Sequence, residues 1–244
     1  MRLFGLIGFP LTHSFSKNYF EEKFSNEKLF DCSYQNFPIE STAQFPQLLQ
    51  QNKNLKGLNV TIPYKEKIIP YLTSLNEAAT AIGAVNTIKI NAEKATGFNT
   101  DYIGFLRSIK PQLKAHHNKA LILGTGGSSK AVCHALELLK ISYQYVSREK
   151  KDNALLYTEI DKDVLQEHTV IINTTPLGMF PNTSAAPEIN YHEITRHHLL
   201  FDLIYNPAET IFLQKGKAQG ATTINGSEML QIQAEESWKI WNEY

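Results

Sequence analysis

Short apolar runs of strand length alternate with amphipathic stretches along most of this chain. Alternation of this kind is typical of β-α-β units, in which helices connect the parallel strands of one sheet. In the first half the pattern predicts strands near residues 2–8, 31–37, 55–62 and 84–90, and helical stretches near 16–25, 41–51, 65–71 and 75–82. We therefore expect an α/β fold built on parallel sheet.

A second α/β unit is predicted after the polar, proline-led segment 111–119. The strand "KALILG" leads into a glycine-rich turn, and a helix follows from about 127 to 140. Further strands are predicted at 142–147, 169–175, 199–205 and 221–225. The chain thus contains enough strands for two separate sheets.

The C-terminal segment places Trp238 and Trp241 on one apolar helical stripe, which favours packing over ligand binding. Because the first half lacks a closing helix, we expect this last helix to pack back on it. The predicted domains are residues 1–100 with 226–244, and residues 101–225.

Composition argues against several classes of partner. The chain has 24 basic and 24 acidic side chains, so it has no overall attraction to nucleic acid or anionic lipid. No run of 18 apolar residues occurs, and "MRLFGLIGFP" lacks the long apolar core of a signal peptide. We expect a cytoplasmic protein that binds neither nucleic acid nor membrane. The adjacent histidine pairs at 116–117 and 197–198 are poorly arranged to converge on one ion, so no metal is expected.

A glycine-rich turn lies between the first strand and the first helix of the second unit. It consists of Gly124, Gly126 and Gly127, followed by Ser128 and Ser129. Dinucleotide-binding turns occur in this context, because glycines let the backbone approach a pyrophosphate at the N-terminus of a helix. Ser129 occupies the third glycine position of that pattern, so a purely structural turn stays an alternative.

A charged segment follows the next strand, close to where NAD-binding proteins place an acidic residue on the ribose. Arg148 at this point favours the 2′-phosphate of NADP, by its charge and its forked geometry. Glu149 could repel that phosphate or point into solvent, so NAD stays open. Lys150 and Lys151 fit a solvated run of charges.

Polar residues also cluster at strand ends in the first half. In "LNVTIPYK", Thr61 precedes Pro63, which ends the strand ladder, and Lys65 follows. Asn86 in "GAVNT" and Asp101 in "GFNTD" are each placed at the carboxyl end of a predicted strand, the edge where open α/β sheets bind ligands. Taken singly, each could be a cap, turn or surface residue. Together they favour a binding site.

Two serines, Ser14 and Ser16, lie at the predicted start of the first helix. Hydroxyls and unpaired N–H groups at such an end suit an anionic group such as a carboxylate. Simple helix capping is the alternative. One hydroxylated carboxylic acid could engage all of these segments.

The polar and glycine-rich segments together resemble the shikimate dehydrogenase family, in that family's order and spacing. They are "GFPLTHSFS", "LNVTIPYKE", "GAVNTI", "NTDYIGF", "LGTGGSSKA", "INTTPLGM", "DLIYNP" and "NGSEMLQIQA". The resemblance implies two domains, an N-terminal open α/β substrate domain and a Rossmann-like dinucleotide-binding domain. It also implies reversible, NADP-linked reduction of 3-dehydroshikimate to shikimate, in the pathway to chorismate and the aromatic amino acids.

The resemblance further implies a role for each matching residue. Lys65 and Asp101 would be the catalytic pair. Substrate contacts would come from Ser14, Ser16, Thr61, Asn86, Tyr205 and Gln233. Cofactor contacts would come from Gly124, Gly126, Gly127, Ser128, Ser129, Arg148, Asn173, Thr174, Met179, Gly226 and Met229.

The chain departs from the family pattern at two of these positions. Ser128 stands where alanine is common, and Glu149 stands where threonine is common. The second departure keeps open a quinate/shikimate dehydrogenase that prefers NAD. A non-catalytic ligand-binding relative is a further alternative, although Lys65, Asp101 and Gln233 argue against it. We expect a small-molecule substrate as the partner, and a monomer or homodimer.

Overall fold

The structure is a computed structural model that describes residues 1–11, 15–92 and 94–243. The chain divides into two compact units, Met1–Thr100 with Ala234–Tyr244, and Asp101–Gln233. The sequence placed the first break at the same position and the return to the first unit at 226. Assignment of substrate binding to one unit and NADP binding to the other stays a prediction.

In the described part of the first unit, six strands form one mixed sheet in the order β2-β1-β3-β5-β6-β4. They are β1 (Arg2–Gly8), β2 (Cys32–Pro38), β3 (Leu55–Val60), β4 (Ser74–Leu75), β5 (Thr87–Asn91) and β6 (Lys94–Phe98). β1, β2 and β3 are parallel, as expected. β5 is antiparallel to β3 and to β6. The link from β5 to β6 is too short for the helical crossover that a parallel pair needs.

The helices of the first unit are α1 (Phe15–Asn26), α2 (Phe45–Gln51) and α3 (Glu77–Ile82). The helix predicted near 65–71 does not form. Turns and a short 3₁₀ helix, Ile69–Tyr71, take its place. Pro70 explains the difference, because a proline inside an α-helix removes a backbone donor and clashes with the preceding turn.

A last helix, α8 (Ser227–Asn242), begins in the second unit and ends in the first. Alternate side chains of β1 enter two different clusters, and the one containing Phe4 also contains Trp238 and Trp241. The Phe4 ring lies 5.3 Å from that of Trp238 and 5.0 Å from that of Trp241. Trp241 Nε1 also donates to the Ile88 carbonyl at 3.0 Å. The expected packing of this helix and its tryptophans is confirmed.

The described strands of the second unit form a parallel sheet in the order β12-β11-β10-β7-β8-β9. They are β7 (Lys119–Leu123), β8 (Ser142–Ser147), β9 (Ala154–Leu156), β10 (Val170–Asn173), β11 (Leu199–Asp202) and β12 (Thr222–Ile224). The helices are α4 (Asp101–Ile109), α5 (Gly127–Leu138), α6 (Lys162–Glu167), α7 (Ile211–Ala218) and the start of α8. Strand order reverses between β7 and β10, which is where Rossmann-like sheets bind dinucleotides.

The expected fold class, two α/β domains of which the second is Rossmann-like, is therefore confirmed. Within residues 1–11, 15–92 and 94–243, no helix has both the length and the apolar character needed to cross a bilayer.

Gly57 in β3 makes room for the Trp241 indole, since a Cβ at this position would overlap the ring. We expect Gly57→Ala to lower the free energy of unfolding by about 1–3 kcal/mol, the usual cost of overpacking a core. Chemical denaturation measures this value. Lys56→Ala, at the exposed neighbouring position, is the control and should change stability little. Wild-type stability in Gly57→Ala would contradict the seating of the helix on this strand.

Candidate functional site

The polar segments of the first unit meet at one edge of its sheet. Thr61 follows β3, and its N–H donates to the Ile7 carbonyl near the end of β1 at 2.9 Å. Asn86 lies beside them, because its carbonyl accepts from Val60 N–H at 2.8 Å. Asn86 was expected at the carboxyl end of a strand, and this is corrected, since it precedes β5. The antiparallel direction of β5 nevertheless brings it to the predicted edge.

Hydrogen bonds connect the Lys65 segment to the same edge. Val85 N–H donates to the Lys65 carbonyl at 2.7 Å. The next residue, Asn86, accepts from Thr100 N–H through its Oδ1 at 2.6 Å. These bonds hold together three residues of the first unit, which are the half-buried Lys65, Asn86, and Thr100, the residue before Asp101. Asp101 itself opens the second unit as the first residue of α4 and is 7% exposed.

A buried hydrogen-bond network that sequence reasoning missed lies at this edge. Its members are at most 4% exposed, and they are Tyr34, Asn59, Asn86, Thr87, Thr100 and Ser237. Thr87 and Thr100 fall inside the motifs "GAVNTI" and "NTDYIGF", so the sequence offered a signal for these two members of the network. Nothing in the sequence indicated that a tyrosine of β2 and a serine of the last helix join them.

Ser14 and Ser16 are the two serines predicted to bind a carboxylate. Ser14 lies outside the described residues. Ser16 is in the first turn of α1 and hydrogen-bonds with Tyr34. Burial raises the pKa of Tyr34 well above its ordinary value, and the hydrogen bond with Ser16 acts in the opposite direction. Ser16 therefore lies next to the buried network.

A cavity of about 360 Å³ lies at the switch point of the second sheet. Gly124 forms part of its wall with φ +102°, and a Cβ there would lie only 2.8 Å from Thr175 Cγ2. Gly126 precedes α5, and a Cβ there would have no neighbour within 4 Å. The turn thus leaves open space at a helix N-terminus, where backbone N–H groups bind phosphate.

The other residues of the glycine turn lie in the first turn of α5, outside the cavity wall. Ser129 is 1% exposed, and its hydroxyl donates to the Gly126 carbonyl at 2.6 Å. Its side chain therefore closes the helix end instead of facing the cavity. Any contact of Gly127 or Ser128 with a phosphate would come through backbone N–H groups.

Charged side chains after β8 also line the cavity. Arg148, Glu149 and Lys151 all line it. Lys151 is exposed, as the sequence suggested, and its Nζ also donates to Thr125 Oγ1 of the glycine turn at 2.7 Å. Burial raises the pKa of Tyr157, another wall residue, to about 12, while the charge of Arg148 lowers it. The wall carries two cations and one anion.

The "INTTPLGM" segment also contributes to the cavity. Thr174 is on the wall, and its hydroxyl donates to the Leu123 carbonyl at 2.8 Å. Asn173 is fully buried below the wall, where its Oδ1 accepts from Thr175 N–H at 3.0 Å. Met179 is 44% exposed and is not part of the wall. Asn173 thus shapes the loop, and its contact with the cofactor stays a prediction.

Gly226 and Met229, predicted to lie near the nicotinamide, flank the start of α8. Gly226 N–H donates to the Ile204 carbonyl at 3.0 Å, and a Cβ at Gly226 would overlap the Leu203 carbonyl, so only glycine fits. Met229 is 7% exposed and belongs to the apolar core of the second unit. A cofactor contact of Met229 stays a prediction.

The last two predicted substrate residues also lie in the second unit. Tyr205 follows β11 and is 38% exposed, and partial burial raises its pKa above the ordinary value. Gln233 is 6% exposed on α8, and its Nε2 donates to the Leu230 carbonyl at 2.9 Å. Among the described residues, no group of three or more His, Cys, Asp and Glu side chains is arranged to hold a metal ion.

A buried carboxylate supports the loops beside the cavity. Asp202 at the end of β11 accepts from Asn173 Nδ2 at 3.1 Å, Ile204 N–H at 3.0 Å and Thr210 Oγ1 at 2.6 Å. Burial raises its pKa from 3.8 to about 6, while these hydrogen bonds lower it. The signal in the sequence was a lone acid within the apolar run "LLFDLIY", at the start of the quoted segment "DLIYNP".

The pKa of Asp202 predicts a pH dependence of stability. A carboxyl whose pKa is higher in the folded state contributes stability that is present below about pH 4 and lost as the pH rises through about 6. We expect the free energy of unfolding of wild type, relative to Asp202→Asn, to fall by up to about 3 kcal/mol between pH 4 and pH 7. Urea denaturation across this range measures the difference. A difference independent of pH would contradict the raised pKa.

Comparison with known proteins agrees with this arrangement. A family profile described as "Shikimate dehydrogenase substrate binding domain" matches residues 6–88. The shikimate dehydrogenase (NADP(+)) of Methanosphaera stadtmanae is 38% identical over 97% of this chain and 90% of its own length.

Two solved structures superpose closely. The first is shikimate 5-dehydrogenase from Thermus thermophilus in complex with NADP(H) and shikimate, with a TM-score of 0.87 and 28% identity over 99% of this chain and 94% of that one. The second is quinate dehydrogenase from Corynebacterium glutamicum in complex with NAD, with a TM-score of 0.87 and 27% identity over 99% of this chain and 93% of that one. The chain belongs to the shikimate dehydrogenase family.

Proposed function

We propose that the protein catalyses the reversible, NADP-dependent reduction of 3-dehydroshikimate to shikimate, a step toward chorismate and the aromatic amino acids. The observation that carries the proposal is the joining of the Lys65 segment, Asn86 and Thr100 by hydrogen bonds at one sheet edge. These bonds bring the backbone of Lys65, the proposed base, and the residue before Asp101 to the same edge of the first sheet, which supports the proposal. The relatives named shikimate dehydrogenase support the same reaction.

The residues of the second unit fit NADP. The space at Gly126 and the positive φ of Gly124 leave room for a pyrophosphate against the N-terminus of α5. Arg148 and Lys151, which line the same cavity, would bind the 2′-phosphate side of the molecule. When bound, the cofactor supplies or accepts the hydride.

Lys65 and Asp101 form the proposed catalytic pair. During reduction the Lys65 ammonium stabilises the negative charge that develops on the substrate oxygen and donates a proton to it. In the reverse direction the neutral amine accepts that proton. The Asp101 carboxylate orients the ammonium and a substrate hydroxyl, and the proton is shared across the pair.

The remaining substrate contacts follow from the predicted roles. Ser14 and Ser16 would hold the carboxylate, with the N-terminus of α1 contributing favourable dipole charge. Thr61, Asn86 and Gln233 would bond the hydroxyl groups, and Tyr205 would also lie near the substrate. The bonds of Asn86 to Thr100 fix the orientation of its amide, so that its hydrogen-bonding atoms point in defined directions.

A preference for NAD or activity on quinate is the second candidate, and Glu149 favours it. This carboxylate lines the cavity, where it would repel a 2′-phosphate. The two cations on the same wall outweigh it, which is why NADP is proposed.

A cytoplasmic location is consistent with two buried cysteines that form no disulfide among the described residues. The choice between monomer and homodimer stays a prediction.

Oxidation of NADPH by 3-dehydroshikimate, followed by absorbance at steady state, tests the reaction. We expect Lys65→Ala and Asp101→Asn to lower kcat by at least about a hundredfold, the usual range for losing acid–base assistance, with a smaller change in KM. Lys67→Ala, which removes an exposed lysine two residues further on, is the control and should keep wild-type turnover. Near-normal kcat in both site variants would remove the proposed pair.

Cofactor preference is tested by repeating the assay with NADPH and NADH. Arg148→Ala should raise KM for NADPH by at least about tenfold while changing KM for NADH little, because only NADPH carries the 2′-phosphate. Lys150→Ala is a matched control, since it removes one positive charge from an exposed position outside the cavity wall. Equal effects of Arg148→Ala on both cofactors would refute the phosphate role.

A further inference from the structure

We propose that Ser237 of α8 is a positioning residue for the substrate site. The inference rests on the proposed function, and it concerns a residue outside the motifs that define the family resemblance. Ser237 is fully buried in the first unit. Its Oγ lies 3.0 Å from Asn59 Nδ2, 2.7 Å from Thr87 Oγ1 and 3.2 Å from Thr100 Oγ1. One hydroxyl thus contacts three separate chain segments.

Each of these three segments carries a proposed substrate or catalytic residue. Asn59 precedes Thr61 on the same strand end, Thr87 directly follows Asn86, and Thr100 directly precedes Asp101. Ser237 therefore links the segments that must keep a fixed spacing for the substrate to be held. It acts through its neighbours, which makes it a positioning residue and not a catalytic one.

The network has a defined direction at Asn59. Tyr34 O–H donates to Asn59 Oδ1 at 2.8 Å, which turns the amide nitrogen toward Ser237. Because Ser237 Oγ accepts from that nitrogen, its own proton is directed to Thr87 or Thr100. Tyr34 also hydrogen-bonds with Ser16, so the ordering reaches the proposed carboxylate site.

The network continues from Ser237 to the proposed substrate contact. Thr100 Oγ1 accepts from Asn86 Nδ2 at 2.9 Å, and Thr100 N–H donates to Asn86 Oδ1 at 2.6 Å. These two bonds fix the positions of the amide oxygen and the amide nitrogen of Asn86. Removal of the Ser237 hydroxyl takes one buried hydrogen bond from each of Asn59, Thr87 and Thr100, and the loss of such bonds is costly in a connected network.

Packing alone does not explain a serine at this position. Ala234, three residues earlier on α8, is equally buried and fills its place with a methyl group. Alanine also has the higher helix propensity, and a buried hydroxyl is unfavourable unless it is hydrogen-bonded. The side chain at 237 is thus suited to the three polar groups that face it.

The test compares Ser237→Ala with Ser108→Ala in the assay with NADPH and 3-dehydroshikimate. Ser108 is a matched control, because it is 2% exposed on a helix and its hydroxyl donates to the Phe105 carbonyl, outside the network. Displacement of a positioned group by about 1 Å costs up to about a hundredfold in rate. We expect Ser237→Ala to lower kcat at least about tenfold more than Ser108→Ala at a comparable fall in Tm, with KM for NADPH unchanged.

A conservative variant separates positioning from general loss of stability. Ser237→Thr keeps a hydroxyl and should recover most of kcat, even where its extra methyl lowers Tm. Equal kcat in Ser237→Ala and Ser108→Ala, or no recovery by Ser237→Thr, overturns the proposal. If Ser237→Ala does not fold, Tyr34→Phe decides, because it removes the hydroxyl that orders the Asn59 amide toward Ser237 and also hydrogen-bonds with Ser16. Tyr34→Phe should lower kcat by several-fold, and wild-type kcat in it overturns the inference.

Failure of the proposed function gives a different result from failure of this inference. In the first case the wild-type protein does not oxidise NADPH with 3-dehydroshikimate and does not bind shikimate in calorimetry, and this overturns both. In the second case the wild type turns over normally and only the comparison of the serine variants fails.

Discussion

Burial of polar side chains at the edge of the first sheet is the constraint on which the proposed site depends. Amides and hydroxyls lose their hydration there, so each must find a partner in the protein. Tyr34, Asn59 and Ser237 provide such partners, although they come from β2, β3 and the last helix. The polar edge of the first sheet therefore depends on α8, because the helix that packs on the apolar face of this sheet also completes the polar network.

The aromatic contacts of α8 explain how a helix formed so late in the chain reaches this position. Trp238 and Trp241 pack on Phe4, and Gly57 leaves the space that the second indole fills. Large apolar contacts supply the favourable free energy, while the hydrogen bonds set the register of the helix. A small shift along the sheet would keep much of the apolar contact but would separate Ser237 from its three partners.

The cavity of the second unit combines a general phosphate-binding geometry with charges particular to this chain. The glycine turn needs only space and open N–H groups, which any dinucleotide can use. Choice between the two nicotinamide cofactors depends on Arg148, Glu149 and Lys151 together. Lys151 reaches this wall because the chain turns back after β8 to form β9, an element that the apolar pattern did not indicate.

The sequence by itself determined the alternation of strands and helices, the glycine turn and the polar strand ends, because these depend on short-range periodicity and on special backbone residues. Only the tertiary structure decided that β5 is antiparallel and that Asn173 is fully buried. It also decided that the buried side chains of Ser237 and Asp202 form hydrogen bonds with neighbouring segments of the chain. These features depend on contacts between residues far apart in the chain. A periodic pattern records which side chains are buried, but it does not record which partners they meet.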